Sequence, residues 1–508
     1  MTKTATIEKI RQIKRVFVEK LFFLYKKGSE EMLSCLSIID RKLSVKYNIV
    51  PIEEKKDSIL CIASRFNKDE VDNLEILLNK SLVIEEVSIE ELNKKRIEVF
   101  KSYERIKILE KIELLNQYKL NINLENSIEN KSPIIEIMDL IIEHAIVEKC
   151  SDIHIEGIEK EVVVKIRIDG SLKELCRLNK EYQQKIISRI KVLSNLDYTV
   201  KNIPQDSRFT YKYNNKNIDI RVATTPTVYG EKIVLRILDK NNVDYTKDGI
   251  GLYGEDVIKV NKLLSQPSGL ILSVGPTGCG KSSTIYTFLK YLMNEEINII
   301  TIEDPVEYKI EGINQININE EAGLDFNEGL KAILRLDPDV LMLGEIRSLD
   351  TATTAIRASI TGRKVFSTIH TSDSPSTIYR LLDMGVENYL ISSGVIGIIS
   401  QRLVRKLCDC KRKKKDYIEL YDEVIEYYEP VGCEKCNDGY IGRVAIFEIL
   451  ILDQKLKEGI NKNKSLDELR EIAKEGGMVT LKEAMKKAVL EGRTSIDEVY
   501  KNIMTIGD

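Results

Sequence analysis

The most specific chemical pattern in this chain is the stretch from Gly269 to Thr284, GLILSVGPTGCGKSST. An apolar run (Leu270, Ile271, Leu272, Val274) delivers Gly275-Pro276-Thr277-Gly278-Cys279-Gly280-Lys281-Ser282, a G-x-x-x-x-G-K-[ST] phosphate-binding loop, with Ser283 following. Glycines allow successive backbone N–H groups to turn inward around phosphate oxygens without a Cβ in the way. Lys281 has the reach for β- and γ-phosphates, Ser282 offers a hydroxyl to Mg²⁺, and a helix starting there adds its positive end. Cys279 fills a position where any small residue serves, and no chemical role is expected of it. The ligand implied is a nucleoside triphosphate with Mg²⁺.

Three more strand-like runs end in polar groups. Residues 297–302 lead into Glu303-Asp304-Pro305, 339–343 into Gly344-Glu345, and 364–369 into His370. Strand and helix patterns alternate here, which predicts a doubly wound α/β sheet with Lys281, Glu303, Glu345 and His370 at equivalent edges of its ligand crevice. Any one of these alone would read as a solvated strand end; four in one segment read as a site. Hydrolysis needs Mg²⁺, an in-line water and a group that orients or deprotonates it. Glu303 and Glu345 are the two candidates for the water and metal roles, and spacing does not divide those roles between them. Glu345 is also a candidate Mg²⁺ ligand, because Gly344 stands where the usual Asp of the second nucleotide motif would be. His370 is placed to contact the γ-phosphate and couple it to movement.

A second constellation is Cys408-x-Cys410, then, after twenty-two residues, Cys433-x-x-Cys436. Four thiolates in two close pairs suit tetrahedral Zn²⁺, which staples a small excursion lacking its own core. Redox or uncoordinated thiols are the alternative, and the first pair is one residue tighter than the usual C-x-x-C. The neighbouring run 411–415 reads as a solvated loop, with contact to an acidic partner or a lipid surface as the alternative.

The elements that must hold these groups come from 508 residues, 43% hydrophobic and 31% charged, with a net charge of −3. That length suits several domains, and the balance gives no basic bias for nucleic acid. No apolar run approaches the ~20 residues of a membrane span. The N-terminus lacks a signal-peptide core, and five of the nine cysteines are scattered singly, so a reducing, cytoplasmic setting is expected. Residues 1–28 carry eight Lys/Arg against two Glu at helical apolar spacing. They read as a basic helix packed on its own domain or, alternatively, docked on a membrane or partner. Strands at 58–63 and 82–87 alternate with helices at 68–79 and 89–100, a small α/β domain, and a linker helix covers 101–131. A second α/β domain starts with a helix at 134–147 and strands at 151–156 and 162–168, turning at Asp169-Gly170. His154 within it reads as structural rather than metal-ligating. Strands at 218–223 and 231–238 carry Arg221 and Arg236. The closing segment, 465–503, reads as helical. Domain bounds follow at 1–125, 126–245 and 246–508, with the cysteine insert at about 403–445.

ITIEDPVEY (300–308), LRLDPDVLMLGEIRSLDTA (334–352) and GRKVFSTIHTSD (362–373), in this order after the phosphate loop, resemble the PilB/GspE secretion ATPases of type IV pilus extension and type II secretion. SDIHIE, RIDG, PQD and RVATTPTVYGEKIVLRIL upstream are similar to that family's preceding domain. The resemblance implies a RecA-like ATPase core, a PAS-like preceding domain and a zinc-stapled insert. It also implies a homohexamer hydrolysing ATP between core and preceding domain, where Arg221 and Arg236, by position in the matched segments, reach the phosphates. A cytoplasmic location on the inner face of the membrane is implied, with an inner-membrane platform protein as partner and a docking protein at the N-terminal domain. No direct nucleic-acid contact is implied, although related cores also serve as DNA-uptake or helicase-like motors, the second reading. Retraction motors of the family generally lack the N-terminal domain and the four-cysteine insert, so extension or secretion is favoured. Lys165, Ser207 and Gly157 depart from the family pattern, which puts only Lys165 in doubt as a phosphate-reaching group.

Overall fold

The computed structural model describes residues 38–99 and 133–503, with Ile108 between them, apart from residues 40, 56, 65–66, 90, 93–94, 97–98, 215, 239–244, 294–295 and 434–435. The basic segment 1–28 and, save Ile108, the segment 101–131 lie outside the described residues. Two compact units divide the chain, one made of Met1–Asp239 with Cys433–Lys435, the other of Lys240–Gly432 with Cys436–Asp508.

The first unit opens with α1 (Arg41–Lys46), β1 (Ile49–Glu54), β2 (Ser58–Ala63), α2 (Lys68–Leu78) and β3 (Ser81–Glu86). The β2–β3 pair is parallel and therefore needs a crossover, which α2 provides. Asn67 caps the start of α2, and Asn79 ends it in the left-handed region.

There follow α3 (Pro133–Val147), β4 (Asp152–Gly157), β5 (Glu161–Ile168), β6 (Ser171–Asn179), α4 (Gln183–Leu193), β7 (Gln205–Tyr213), β8 (Lys216–Thr227) and β9 (Gly230–Leu238). These strands form an antiparallel sheet in the order β6-β5-β4-β9-β8-β7. Asp169 and Gly170 both have positive φ, 48° and 84°, the backbone that a two-residue hairpin demands. Alternation sends Ile153, Ile155, Ile220, Val222, Ile233 and Leu235 into one core with α3 and α4, which leaves the opposite face to polar residues. Lys191 and Glu231 form a fully buried ion pair at 2.6 Å that ties α4 to the start of β9. Removing one partner would strand a buried charge at a cost of about 3–5 kcal/mol.

The second unit alternates α5 (Glu255–Leu264), β10 (Gly269–Val274), α6 (Lys281–Leu292), β11 (Ile299–Glu303), β12 (Asn314–Asn317), α7 (Phe326–Ile333), β13 (Val340–Leu343), α8 (Leu349–Ile360), β14 (Lys364–Ile369), α9 (Ser374–Asp383), α10 (Asn388–Gly394) and β15 (Val395–Leu407). Its seven-stranded sheet runs β12-β11-β13-β14-β10-β15-β18, where β18 (Tyr440–Ile451) is the one antiparallel member. Every residue of β10, β13 and β14 is buried. Leu270, Leu341 and Val365 face one core, and Ile271, Met342 and Phe366 the other, because helices cover both faces. Continuous apolar runs in the sequence are the direct result.

Between β15 and β18 lies a two-stranded hairpin, β16 (Arg412–Ile418) and β17 (Glu423–Glu429). The excursion from the sheet is therefore residues 408–439, shorter than the expected 403–445, because both flanks are ladder residues of β15 and β18. The basic run 411–415 is not a loop. Most of it lies in exposed β16, where Lys413 pairs Glu426 at 2.8 Å and Arg412 pairs Glu429 across the hairpin. Last come α11 (Gln454–Asn461), α12 (Leu466–Glu475), α13 (Leu481–Leu490) and α14 (Ile496–Ile503). Capping boxes Ser465/Glu468 and Thr480/Glu483 open α12 and α13, each worth about 1 kcal/mol.

Candidate nucleotide and metal sites

The phosphate loop leaves β10 and ends at the first turn of α6. Gly275, Gly278 and Gly280 hold φ of 142°, 78° and 94°. Gly275 also has no room for a side chain, since a Cβ there would lie 2.6 Å from the Gln401 carbonyl and 2.7 Å from Cys279 Sγ. Pro276 accepts the Cys279 N–H at 3.4 Å, closing the turn that contains Thr277. Lys281 Nζ donates to the carbonyls of Gly275 at 2.7 Å and Pro276 at 3.0 Å. Burial lowers the Lys281 pKa from its usual range, and Cys279 and Glu345 oppose that shift. Ser282 and Ser283, half-buried on the first turn of α6, stand beside it. Burial pushes the Cys279 thiol pKa up.

Glu345 follows β13 by two residues. The Gly344 N–H donates to Ile302 O at 2.8 Å, and the hydroxyl of Thr368 to Gly344 O at 2.7 Å, fixing the turn between neighbouring strand ends. The Glu345 carboxylate, 19% exposed, meets Arg347 on one oxygen and has His370 Nε2 4.0 Å from the other. His370 lies directly after β14 with its side chain half-exposed. Burial and the nearby Lys281 hold its pKa below the ordinary range, Glu345 acting in the opposite sense. Lys281, Glu345 and His370 thus converge at the ends of adjacent parallel strands.

Glu303 shares that edge but turns its carboxylate inward. It is 3% exposed and accepts from Tyr286, from Thr301 at 2.6 Å and from Gln315 at 3.3 Å. Gln315 in turn holds the carbonyl of Tyr308 at 3.1 Å and the N–H of Ile310 at 2.6 Å. Burial first, and then the Glu303 charge, raise the Tyr286 pKa. The Glu303 carboxylate is thus taken up by Tyr286, Thr301 and Gln315, which ties the end of β11 to α6 and β12.

Arg221 and Arg236 lie in the first unit, directly opposite each other on β8 and β9. Register extends the row across five strands: Arg167 on β5, Asp152 on β4, Arg236, Arg221, and Arg208 on β7. Asp152 accepts from Arg236 at 3.1 Å and lies 3.5 Å from Arg167. Sequence spacing does not mark Arg167 and Arg208, because only strand register aligns them with the other two. Lys165 pairs with Glu156.

The four sulfur atoms of Cys408, Cys410, Cys433 and Cys436 lie within 4.8 Å of one another, the one such ligand cluster among the described residues. Cys410 and Cys436 are 3.9 Å apart. Tetrahedral Zn²⁺ with bonds of about 2.3 Å needs sulfurs roughly 3.8 Å apart, so the set fits that ion. A turn in which Lys411 N–H bonds Cys408 O at 3.0 Å absorbs the tight Cys-x-Cys spacing.

Residues 127–501 match the family described as Type II/IV secretion system protein. The chain is 42% identical to a putative type II secretion system protein E of Escherichia coli (strain K12), covering 73% of this chain and 77% of that one. It is 35% identical to the type IV pilus assembly ATPase PilB of Myxococcus xanthus (strain DK1622), covering 92% and 86%. The crystal structure of the pilus retraction motor PilT with bound ADP superimposes with a TM-score of 0.50 at 28% identity, over 71% of this chain and 95% of that one.

Proposed function

This chain belongs to the type II/IV secretion system protein family and is an ATP hydrolase with a RecA-like core, and we propose that it is a homohexameric motor extending a type IV pilus, working at the inner face of the cell membrane. The observation that carries the reading is the convergence of Lys281, Glu345 and His370 on adjacent strand ends of one rigid sheet. Such an edge holds a triphosphate by one strand and senses it by two others, which suits repeated coupling of hydrolysis to movement.

In this reading the backbone of 275–282 and Lys281 grip the phosphates. Glu345 orients and deprotonates the attacking water, while His370 reads the γ-phosphate. Glu303 supports the edge from behind, its oxygens being taken by buried donors. Ser282 would hold Mg²⁺, which would neutralise charge on the β- and γ-phosphates. Arg221 and Arg236, from a neighbouring copy, offset the negative charge that develops on the phosphate oxygens. The four cysteines would hold a structural Zn²⁺.

Pilus extension is favoured by coverage: the PilB relative aligns with 92% of this chain, the protein E relative with 73%. Type II secretion is the alternative within the family, supported by the higher identity of the shorter match. An inner-membrane platform protein and a docking protein for the N-terminal segment are the proposed partners. ATPase activity measured against oligomer size tests the motor. Activity should rise with hexamer population, and a fully active monomer overturns it.

A further inference from the structure

Two consecutive buried side chains on β15 brace two different loops of the ATP site. β15 lies parallel to β10 with Ser400 opposite Val274, so the phosphate loop passes directly over residues 401–403. Successive strand residues point to opposite faces. Gln401 therefore lies on the side of Ile399, whose core includes Ile285 and Phe288 of α6. Arg402 lies on the side of Ile398, whose core includes Ile378 and Leu381 of α9. Helix α6 follows the phosphate loop, and α9 follows the His370 loop.

Each side chain uses its polar atoms accordingly. Gln401, 0% exposed, donates from Nε2 to the Cys279 carbonyl at 2.7 Å and accepts from Ser273 at 3.3 Å. Arg402, 2% exposed, donates from Nη2 to the Ser372 carbonyl at 2.8 Å and from Nη1 to the Gln401 carbonyl at 3.1 Å. Ser372 is two residues from His370. Beyond it, Asp373 bonds Arg470 of α12 at 2.8 Å. Glu448 of β18 accepts the Ser374 N–H at 2.7 Å and the Leu481 N–H of α13 at 3.0 Å. The carboxyl groups facing Arg402 are Glu448 and Asp373. A buried guanidinium is costly to desolvate, and an apolar residue would fill a strand core more cheaply. What the arginine adds is one charged donor on the Ser372 carbonyl of the His370 loop and a second on the Gln401 carbonyl of its own strand, which ties that loop to β15.

We propose that Gln401 and Arg402 are paired positioning residues with separable tasks, Gln401 setting the phosphate loop for ATP binding and Arg402 setting the His370 loop for turnover. This rests on the reading of 275–282 and His370 as the ATP site. The division follows from what each holds: Cys279 lies inside the loop that grips the triphosphate, and Ser372 beside the residue that senses it.

The test is steady-state ATP hydrolysis by the full chain carrying Gln401→Met, Gln401→Glu, Arg402→Met or Arg402→Lys, with melting temperature followed alongside. Lys281→Ala and His370→Ala serve as controls on the site itself. Gln401→Met should raise KM for ATP about tenfold and leave kcat within about twofold, with Gln401→Glu worse because it opposes a carboxylate to the Cys279 carbonyl. Arg402→Met should lower kcat about tenfold or more with KM within about twofold, and Arg402→Lys should recover part of that loss through one remaining donor. A purely structural role would lower the melting temperature and move KM and kcat together, or move neither, and either result overturns the proposal. Where Arg402→Met does not fold, a folded Arg402→Lys with wild-type kcat and KM overturns the Arg402 half. If the two control variants keep normal binding and turnover, the site reading itself fails. If they respond and the Gln401/Arg402 split is absent, only this inference falls.

Discussion

Glu303 and Glu345 are indistinguishable as letters, each ending a buried apolar strand, and their surroundings separate them. Glu303 has three donors on its carboxylate in a site 3% exposed, whereas Glu345 is 19% exposed beside His370. A saturated, buried carboxylate is poorly placed to take a proton from water; one at an open strand edge is well placed. Glu345→Gln should therefore retain ATP binding and lose turnover by about 100-fold or more. Glu303→Gln instead places an amide against Tyr286 and Thr301, so thermal stability should fall along with activity. Nucleotide titration, hydrolysis and melting on both variants check this, and near-normal hydrolysis by Glu345→Gln removes it from the catalytic set. The glycines and Lys281 were legible in the sequence because their roles need specific residue types at specific spacing. The rotation of Glu303 was not, because Gln315, twelve residues on, supplies one of its partners. Arg402 escaped for a similar reason: in a strand of mixed polarity, nothing marks an arginine as buried.

At the scale of elements, the 408–439 excursion shows how little core a hairpin can carry. Ile418, Ile425 and Tyr427 pack against Val404, Val444, Met485 and Val489. The rest of β16 faces solvent, and its cross-strand pairs are surface ion pairs worth at most about 1 kcal/mol each. Four converging thiolates are then the strongest available tether for the loop ends. Metal analysis should find about one Zn²⁺ per chain. Chelation, or Cys433→Ser, should speed amide exchange across 408–439 while β10, β13 and β14 stay protected; a zinc-free protein with unchanged protection there sinks the staple. The cysteine set was readable from its spacing. The strand at 412–418 was not, because RKKKDYI lacks the apolar–polar alternation that marks a half-buried strand, only its last residue being buried.

On the scale of the whole molecule, the parallel sheet was legible because strands covered on both faces must be apolar throughout. The row of arginines was not legible as a row, because it depends on the register of five antiparallel strands whose charged residues lie far apart in sequence. Arg221, Arg236, Arg208 and Arg167 share one face with Asp152. If a ring of copies brings that face to a neighbour's triphosphate, each site takes its phosphate loop from one chain and its arginines from another. Arg221→Ala and Lys281→Ala chains, each impaired alone, should then complement when co-assembled. With random mixing at equal amounts, about one quarter of the sites receive an intact loop and an intact arginine row, and hydrolysis should return in that proportion. Arginines acting within their own chain would give no recovery at any mixing ratio. If Arg221→Ala alone hydrolyses ATP normally and the mixture shows only dilution of Lys281→Ala, the shared site fails for this arginine.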